Sequence, residues 1–216
     1  MKKAVILLHG WNVTDWMKTV GLLKPYFEAL GYRVEVLDYG YWPSTRQATK
    51  GNPEVARRLE ALVCDLTGQG YVVDVVGHSN GCTITHIASR EYQIPVNTFV
   101  AINPALDKDV HPCPTAKLVQ VWHNSGDRAV VLGKWLRWFS PWAKKARPWG
   151  EMGKKGYRGD SQHPSVISFD AGEDFKVIAD GHSDMFKKDK REFFLARSAE
   201  YCDEMLTAIM SRDAGV

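Results

Sequence analysis

The sequence of 216 residues has few cysteines and no long hydrophobic run. Its four cysteines form no Cys-x-x-Cys pair, which excludes the usual zinc signature and the dense framework of a small secreted protein. No stretch approaches the roughly 18 apolar residues that span a bilayer. The net charge of +3 is too small to indicate a nucleic-acid partner. We therefore expect reduced thiols, no transmembrane segment and no bound nucleic acid.

The first residues fit a secretory signal only in part. Two lysines precede an apolar run, but this run ends after about five residues at His9-Gly10, and no small-residue cleavage site follows. The His-Glu-x-x-His motif is absent, and the histidines and cysteines show no array with metal-ligand spacing. These absences predict a cytoplasmic protein without a metal site.

Short runs rich in valine and isoleucine alternate with longer amphipathic stretches, which is typical of βα units around a parallel sheet. The runs are nearly all apolar, as expected of strands that are covered on both faces. We predict one domain over residues 1–216, a three-layer α/β/α sandwich whose mainly parallel sheet has about six strands. The predicted strands are Ala4–Leu8, Val34–Leu37, Val72–Val76, Thr98–Ile102, Leu118–Trp122 and Val166–Phe169.

Amphipathic stretches between these strands predict the covering helices. One of them begins with Asn52 as the N-cap and Pro53 at the first helical position, carries apolar residues on one face, and ends at Gly68. The other predicted helices cover residues 13–30, 80–91 and 190–211.

The tripeptide Gly-His-Ser occurs twice, and the first copy fits a catalytic pattern. Residues 77–81 read Gly-x-Ser-x-Gly between an apolar strand and a helical stretch. A turn this tight needs glycine two positions before and after the serine, because larger side chains would collide with neighbouring backbone. It exposes the hydroxyl at a helix N-terminus, where N–H groups can stabilise an oxyanion. Ser79 is the candidate nucleophile, and the alternative is a glycine-rich turn with a capping serine.

The second Gly-His-Ser, at residues 181–183, fails the same test. Met185 stands where the pattern needs glycine, and a loop rather than a strand precedes it, so Ser183 is a poor nucleophile. His182 follows the last predicted strand and precedes the last predicted helix. A general base for Ser79 arrives at this place when the chain order is serine, acid, histidine.

Four motifs follow one another in an order typical of one enzyme superfamily. They are LLHGW after the first predicted strand, GHSNG at the turn, HNSGDRAV after the fifth strand and DGHSDMF near the end. With these motifs, which extend over most of the chain, the sequence resembles the α/β-hydrolase superfamily in its small lipase and esterase branch. The full core of that family has eight strands, and this chain begins at what corresponds to the third.

The resemblance implies roles for further residues. The acid of the family commonly follows the second strand after the nucleophile, which corresponds to Asp127. Asp107, one strand earlier, is the alternative because some relatives place the acid there. The oxyanion hole of the family corresponds to the backbone N–H groups of Trp11 and Asn80.

The resemblance also implies a serine hydrolase that cleaves carboxylic esters through an acyl-enzyme. Ser79 would be the nucleophile, His182 the general base and Asp127 the group that holds the imidazole tautomer. Such a mechanism needs no cofactor, and its partner is a small-molecule ester or acyl substrate. An amide or thioester hydrolase, another reaction such as C–C cleavage on the same triad, and a hydrolase-fold binding protein without turnover stay open. Nothing in the sequence indicates an oligomeric state.

Residues 133–160 form a basic, aromatic insertion with eight basic and two acidic side chains. Trp135, Trp138 and Trp142 fall on one face of a helix unless Pro141 ends it. The segment is interpreted as a core-packing helix, a cap beside the active site, or a surface for membranes or anionic polymers. We expect these tryptophans to line the acyl side of the substrate pocket. A pliable loop is expected at the glycines in positions 150, 153, 156 and 159.

Overall fold

Six parallel strands form the sheet of this protein. The computed structural model describes residues 1–11, 16–42, 44–130, 149–159, 165–171 and 181–187. The strands are β1 (Lys2–Leu8), β2 (Arg33–Val36), β3 (Tyr71–His78), β4 (Thr98–Ile102), β5 (Leu118–His123) and β6 (Val166–Asp170). They pair in the order β2-β1-β3-β4-β5-β6, every pair being parallel. The predicted sheet and its six strands are confirmed.

The helices that the structure describes differ more from the prediction. They are α1 (Lys24–Ala29), α2 (Thr45–Gly68), α3 (Asn80–Tyr92) and α4 (Met152–Lys155), with 3-10 turns at Trp16–Lys18, Val20–Leu23 and Asp184–Phe186. The prediction of one continuous helix at 13–30 is wrong, because two 3-10 turns precede the short α1. Residues 13–15 of this predicted helix lie outside the described residues. The helix predicted at 190–211 also lies outside them. Across the described ranges, no helix has the length and apolar character to cross a bilayer.

The central strands are buried on both faces, which explains why they read as continuous apolar runs. Ile6 of β1 packs in a cluster with Leu59 of α2 and Phe99 of β4. Leu7, the next residue of β1, points to the opposite face and packs in a second cluster that includes Trp122 of β5. Alternate residues of one strand therefore belong to two cores, one on each side of the sheet.

The start of α2 corrects the predicted N-cap. The helix begins seven residues before Asn52, and the side chain of Ser44 caps it by accepting a hydrogen bond from the N–H of Gln47 at 3.3 Å. Pro53 lies inside the helix, where it removes one backbone hydrogen bond. Ala48 is completely buried, so the apolar face continues on the N-terminal side of the proline and packing stabilises both parts of the helix.

The sheet order reverses between β1 and β3, and this reversal fixes the location of the site. The strand that follows β1 in the chain lies on one side of it, whereas β3 lies on the other. Leu8 at the end of β1 is in register with Gly77 near the end of β3. Ligands of open α/β sheets bind at the carboxyl ends of strands beside such a switch point. The loop after β1 and the turn after β3 therefore meet where a ligand is expected.

Candidate active site

Ser79 occupies a strained turn between β3 and α3. Its backbone has φ 53° and ψ −114°, a positive φ that a non-glycine residue rarely adopts. A Cβ placed on Gly81 would lie 2.6 Å from the carbonyl oxygen of Leu8, and one on Gly77 would lie 3.0 Å from the backbone nitrogen of Cys82. At both flanking positions a side chain would crowd the neighbouring backbone, which is the reason for glycine that the sequence indicated.

Backbone hydrogen bonds hold this strained turn in place. The N–H of Ser79 donates to the carbonyl of Ile102 on β4 at 3.0 Å. The carbonyl of Ser79 accepts from the N–H groups of Cys82 at 3.1 Å and Ala105 at 3.2 Å. Strained backbone of this kind persists only where the surrounding structure over-determines it, and it clusters at active sites.

His182 and Asp127 contact one another directly. The distance from His182 Nδ1 to Asp127 Oδ2 is 2.7 Å, and the Asp127 side chain is completely buried in the segment after β5. The other carboxylate oxygen accepts from the N–H groups of Ala129 at 3.0 Å and Val130 at 3.4 Å. An imidazole that donates from Nδ1 to this carboxylate leaves Nε2 as a proton acceptor.

Asp127 and the alternative acid, Asp107, have different neighbours in the structure. Asp107 Oδ1 accepts a hydrogen bond from the N–H of Asp109 at 3.4 Å within its own turn, whereas Nδ1 of the His182 ring contacts Asp127 Oδ2. The geometry therefore brings together the pair that the motif order favoured.

The two Gly-His-Ser tripeptides lie against one another. His78 Nε2 donates to the carbonyl of His182 at 3.1 Å, and the two imidazole rings are 4.9 Å apart. Because His78 directly precedes Ser79, this contact brings the loop of His182 to the turn of Ser79. Among the described residues, no hydrogen bond links Ser79 Oγ to the His182 ring, and catalytic hydrogen bonds often tighten only when substrate binds.

Burial controls the charge of His78. Complete burial, followed by the nearby His182, lowers the pKa of His78 to about 3. The ring is therefore neutral near neutral pH, and its Nε2 proton is the one that reaches the His182 carbonyl. His78 Nδ1 is buried and has no hydrogen-bond partner in the described part of the chain.

The loop after β1 approaches Ser79 closely. A Cβ on Gly10 would lie 3.0 Å from Ser79 Cβ and 3.0 Å from His78 Nδ1, so a larger residue would crowd the turn. Trp11 follows Gly10, and Asn80 follows Ser79 at the start of α3. The two segments that carry the predicted oxyanion N–H groups thus meet beside Ser79.

A buried polar network connects these two segments, and sequence reasoning missed it. Tyr39 Oη donates to the carbonyl of His9 at 2.7 Å, and Asn80 Nδ2 donates to Tyr39 Oη at 3.4 Å. Asn80 also pairs with the side chain of Asn52. Burial raises the pKa of Tyr39 well above its ordinary value, which keeps the hydroxyl protonated as a donor. The only available sequence signal was an asparagine on the apolar face of α2, three residues before Val55.

The tryptophans predicted to bind substrate, Trp135, Trp138 and Trp142, lie outside the described residues. A different aromatic group surrounds the completely buried Ala48 of α2. Trp11 and Trp149 pack there with ring centroids 6.2 Å apart. The third member of this group, Trp42, packs on Tyr39 at 4.6 Å. An apolar aromatic surface therefore adjoins the loop after β1.

Two glycines at the end of the insertion pack closely against neighbouring backbone. A Cβ on Gly150 would collide with the backbone of Asp107, and one on Gly153 would lie 2.7 Å from the carbonyl carbon of Asn103. These two glycines let α4 and the residues just before it approach the segment after β4 closely, and Gly153 lies in α4 rather than in a loop, while the pliability of the segment stays a prediction. No group of three potential metal ligands occurs in the described ranges.

The sheet is parallel, and a serine in a strained strand-to-helix turn lies near a histidine–aspartate pair. This combination is typical of the α/β-hydrolase fold. Comparison with protein families gives the same result. The model of the α/β hydrolase fold family matches residues 3–130, and the chain belongs to that family.

Solved structures share this fold at low sequence identity. A hydrolase of the α/β superfamily from Xanthomonas campestris pv. campestris is 18% identical with a TM-score of 0.53, and the match covers 91% of this chain and 99% of that one. A metagenome-derived lipolytic enzyme from a study of LipS and LipT is 12% identical with a TM-score of 0.58, covering 94% and 95%. A CIB-like hydrolase from Thermoplasma acidophilum is 18% identical with a TM-score of 0.51, covering 93% and 86%. Curated protein sequences give no match.

Proposed function

We propose that the protein is a serine hydrolase that cleaves carboxylic esters of small molecules through an acyl-enzyme. The observation that carries this proposal is the 2.7 Å contact between His182 Nδ1 and buried Asp127 beside the strained turn of Ser79. A nucleophile, a base and a group that orients the base are the three parts of a catalytic triad. No cofactor is required by this mechanism.

In the first half-reaction, Ser79 Oγ attacks the ester carbonyl carbon while its proton passes to His182 Nε2. Asp127 holds the imidazole by Nδ1 and stabilises the imidazolium that forms. The carbonyl oxygen becomes an oxyanion, for which the N–H groups of Trp11 and Asn80 are the proposed donors. When the tetrahedral intermediate collapses, the C–O bond to the alcohol breaks and Nε2 returns its proton to the leaving alkoxide.

In the second half-reaction, water replaces the alcohol. His182 Nε2 takes a proton from water, the resulting hydroxide adds to the acyl carbon, and collapse releases the carboxylic acid while Ser79 recovers its proton. The same steps would hydrolyse a thioester or an amide, which is the alternative substrate class.

The test separates catalysis from binding without turnover. A fluorophosphonate probe should label the wild-type protein and its Ser183→Ala variant, but not Ser79→Ala, because only an activated serine reacts. Ser183→Ala is the matched control, since it removes the serine of the other Gly-His-Ser. A panel of p-nitrophenyl esters of increasing chain length then measures turnover. Absence of labelling in the folded wild-type protein would favour a binding protein, and labelling of Ser79→Ala would reject the assigned nucleophile.

A further inference from the structure

We propose that Asn103 and Asn124 act with His78 as positioning residues that fix the backbone of His182. The inference rests on the proposed function, because it gives His182 the role of general base. We call residues 181–187 the base loop. The three side chains bond this loop to the carboxyl ends of three neighbouring strands.

The three donors come from equivalent places in the fold. His78 is the last residue of β3, whereas Asn103 and Asn124 directly follow β4 and β5. The carbonyl of His182 accepts from Asn103 Nδ2 at 2.7 Å and from His78 Nε2 at 3.1 Å. Asn124 Nδ2 donates to the carbonyl of Gly181 at 3.3 Å. Consecutive carbonyls of the base loop thus face the carboxyl ends of three adjacent strands.

Asn103 contributes the shortest of these bonds. It is completely buried and has φ 43°, a left-handed backbone that asparagine adopts more readily than most residues. Its side-chain oxygen is buried without a hydrogen-bond partner in the described part of the protein. A buried amide oxygen without a partner destabilises a fold. The bond from Nδ2 to the base loop therefore explains why an asparagine is buried at this position better than packing does.

Asn124 shows the same arrangement one strand further along. Its side chain is almost completely buried, and its Oδ1 also has no partner among the described residues. The backbone N–H of Asn124 is bonded to the carbonyl of Gly153, which fixes the residue on the α4 side. Two asparagines with unpartnered oxygens thus direct their nitrogens to consecutive carbonyls of the base loop.

Within the described part of the chain, other contacts of the base loop lie inside the loop or are apolar, and the donors to the His182 carbonyl are Asn103 and His78. Asp184 Oδ2 accepts from the N–H of Gly181 at 3.0 Å, which is a contact within the loop. Phe186 is buried and packs edge-on against the His78 ring at 5.0 Å. His182 is thus held at two points, its ring by Asp127 and its carbonyl by the strand ends. Loss of the second contact should loosen the first.

The decisive variant is Asn103→Asp, which keeps the shape and the tolerance of left-handed backbone but replaces the donor by a carboxylate oxygen facing the His182 carbonyl. The matched control is Asn97→Asp at the opposite end of β4. Asn97 Nδ2 donates to Asp74 Oδ1 at 2.9 Å, so this change also places a carboxylate against an oxygen, but at the other edge of the sheet. Thermal unfolding of both variants identifies any loss of overall stability.

Two readouts report on His182 itself. The proton between His182 Nδ1 and Asp127 should give a low-field NMR line, assigned by its absence in His182→Gln. We expect this line in the wild-type protein and in Asn97→Asp, and its loss in folded Asn103→Asp. On p-nitrophenyl esters, kcat of Asn103→Asp should fall on the order of 10²-fold with KM unchanged, since a small displacement of a catalytic group has an effect of this size. Asn124→Asp, at the longest of the three bonds, should show a smaller change in the same direction.

The results separate this inference from the proposed function. If the line persists in Asn103→Asp and in Asn124→Asp, with kcat within twofold of wild type, the positioning role is rejected. Loss of the line in Asn97→Asp as well would also reject it, because general destabilisation would then be sufficient. If wild-type protein shows the line but neither fluorophosphonate labelling nor ester turnover, the proposed function fails, while selective loss of the line in Asn103→Asp still supports the role in positioning the loop.

Discussion

Asn52 and Asn80 exchange two side-chain hydrogen bonds inside the protein. Asn52 Nδ2 donates to Asn80 Oδ1 at 3.0 Å, and Asn80 Nδ2 donates to Asn52 Oδ1 at 2.9 Å. Both side chains are buried, at 3% and 1% exposure. The pair joins α2 to the first residue of α3, which is also the residue after the candidate nucleophile. A helix that covers the sheet is thereby attached to the turn that carries Ser79.

Asn52→Ala should destabilise the protein because it leaves polar atoms of Asn80 buried without this partner. We expect the free energy of unfolding to fall by about 1–3 kcal/mol, the usual effect of a buried polar group that loses its hydrogen bond. Urea unfolding followed by circular dichroism measures the change. Glu54→Ala, at an exposed position of the same helix, is the control and should stay within about 0.5 kcal/mol of wild type. Equal effects at the two positions would contradict the importance of the pair.

Gly81→Ala should disrupt the nucleophile turn. The added Cβ would lie 2.6 Å from the Leu8 carbonyl oxygen, so the end of β1 or the start of α3 must move. We expect reduced stability together with a loss of fluorophosphonate labelling. Gly68→Ala is the control, because nothing lies within 4 Å of a Cβ at that helix end, and alanine is favoured over glycine in a helix by up to about 1 kcal/mol. If Gly81→Ala matched Gly68→Ala in stability and labelling, the close packing of the turn would be refuted.

Asp127→Asn tests the acid of the proposed triad. An amide cannot stabilise the imidazolium and favours the wrong tautomer of His182, so turnover of p-nitrophenyl acetate should fall by roughly 10⁴-fold, as in the reference triad. Asp107→Asn, at the alternative position, should leave turnover close to wild type. The prediction is rejected if the second variant is the inactive one.

The sheet could be predicted from sequence because its strands are buried on both faces. Thr98–Ile102 matches the predicted strand at both ends, since every residue in it is buried and the run is apolar. The tight turn around Ser79 could be predicted as well, because a Cβ at Gly77 or Gly81 would crowd the neighbouring backbone. Both signals are local in the chain.

Features that depend on distant contacts could not be read in this way. Asn52 before a proline has the local pattern of an N-cap, and only the partner on α3 explains its burial inside a helix. The donors Asn103 and Asn124 likewise look like ordinary loop asparagines until the fold brings the base loop beside them. Their hydrogen bonds form at the carboxyl ends of the strands, where residues far apart in sequence meet.

His78 should make the protein sensitive to acid. Its folded-state pKa of about 3 lies below the ordinary histidine value of about 6.5, so the unfolded chain takes up the proton first as the pH falls. Its contribution to stability is therefore complete above pH 6.5 and declines by about 1.4 kcal/mol per pH unit below it. In His78→Gln, which does not titrate, the difference in unfolding free energy between pH 6.5 and pH 5 should shrink by about 2 kcal/mol. An unchanged pH slope in urea titrations would show that His78 is not buried in its neutral form.

Asp74 should produce the opposite pH dependence. Burial raises the pKa of Asp74, although Oδ1 accepts hydrogen bonds from Asn97 Nδ2 and from the N–H of Thr98, each at 2.9 Å. An acid with a raised folded-state pKa contributes most below its ordinary pKa of about 3.9, and this contribution is lost as the pH rises through the folded value. Asp74→Asn keeps an oxygen for both donors and does not ionise, so its unfolding free energy relative to wild type should increase as the pH rises from about 3.5 to about 7.5. Asp65→Asn, at an exposed position on α2, should show no such increase. Parallel urea curves for wild type and Asp74→Asn at both pH values would mean that the carboxyl ionises in the folded protein as easily as in the unfolded chain.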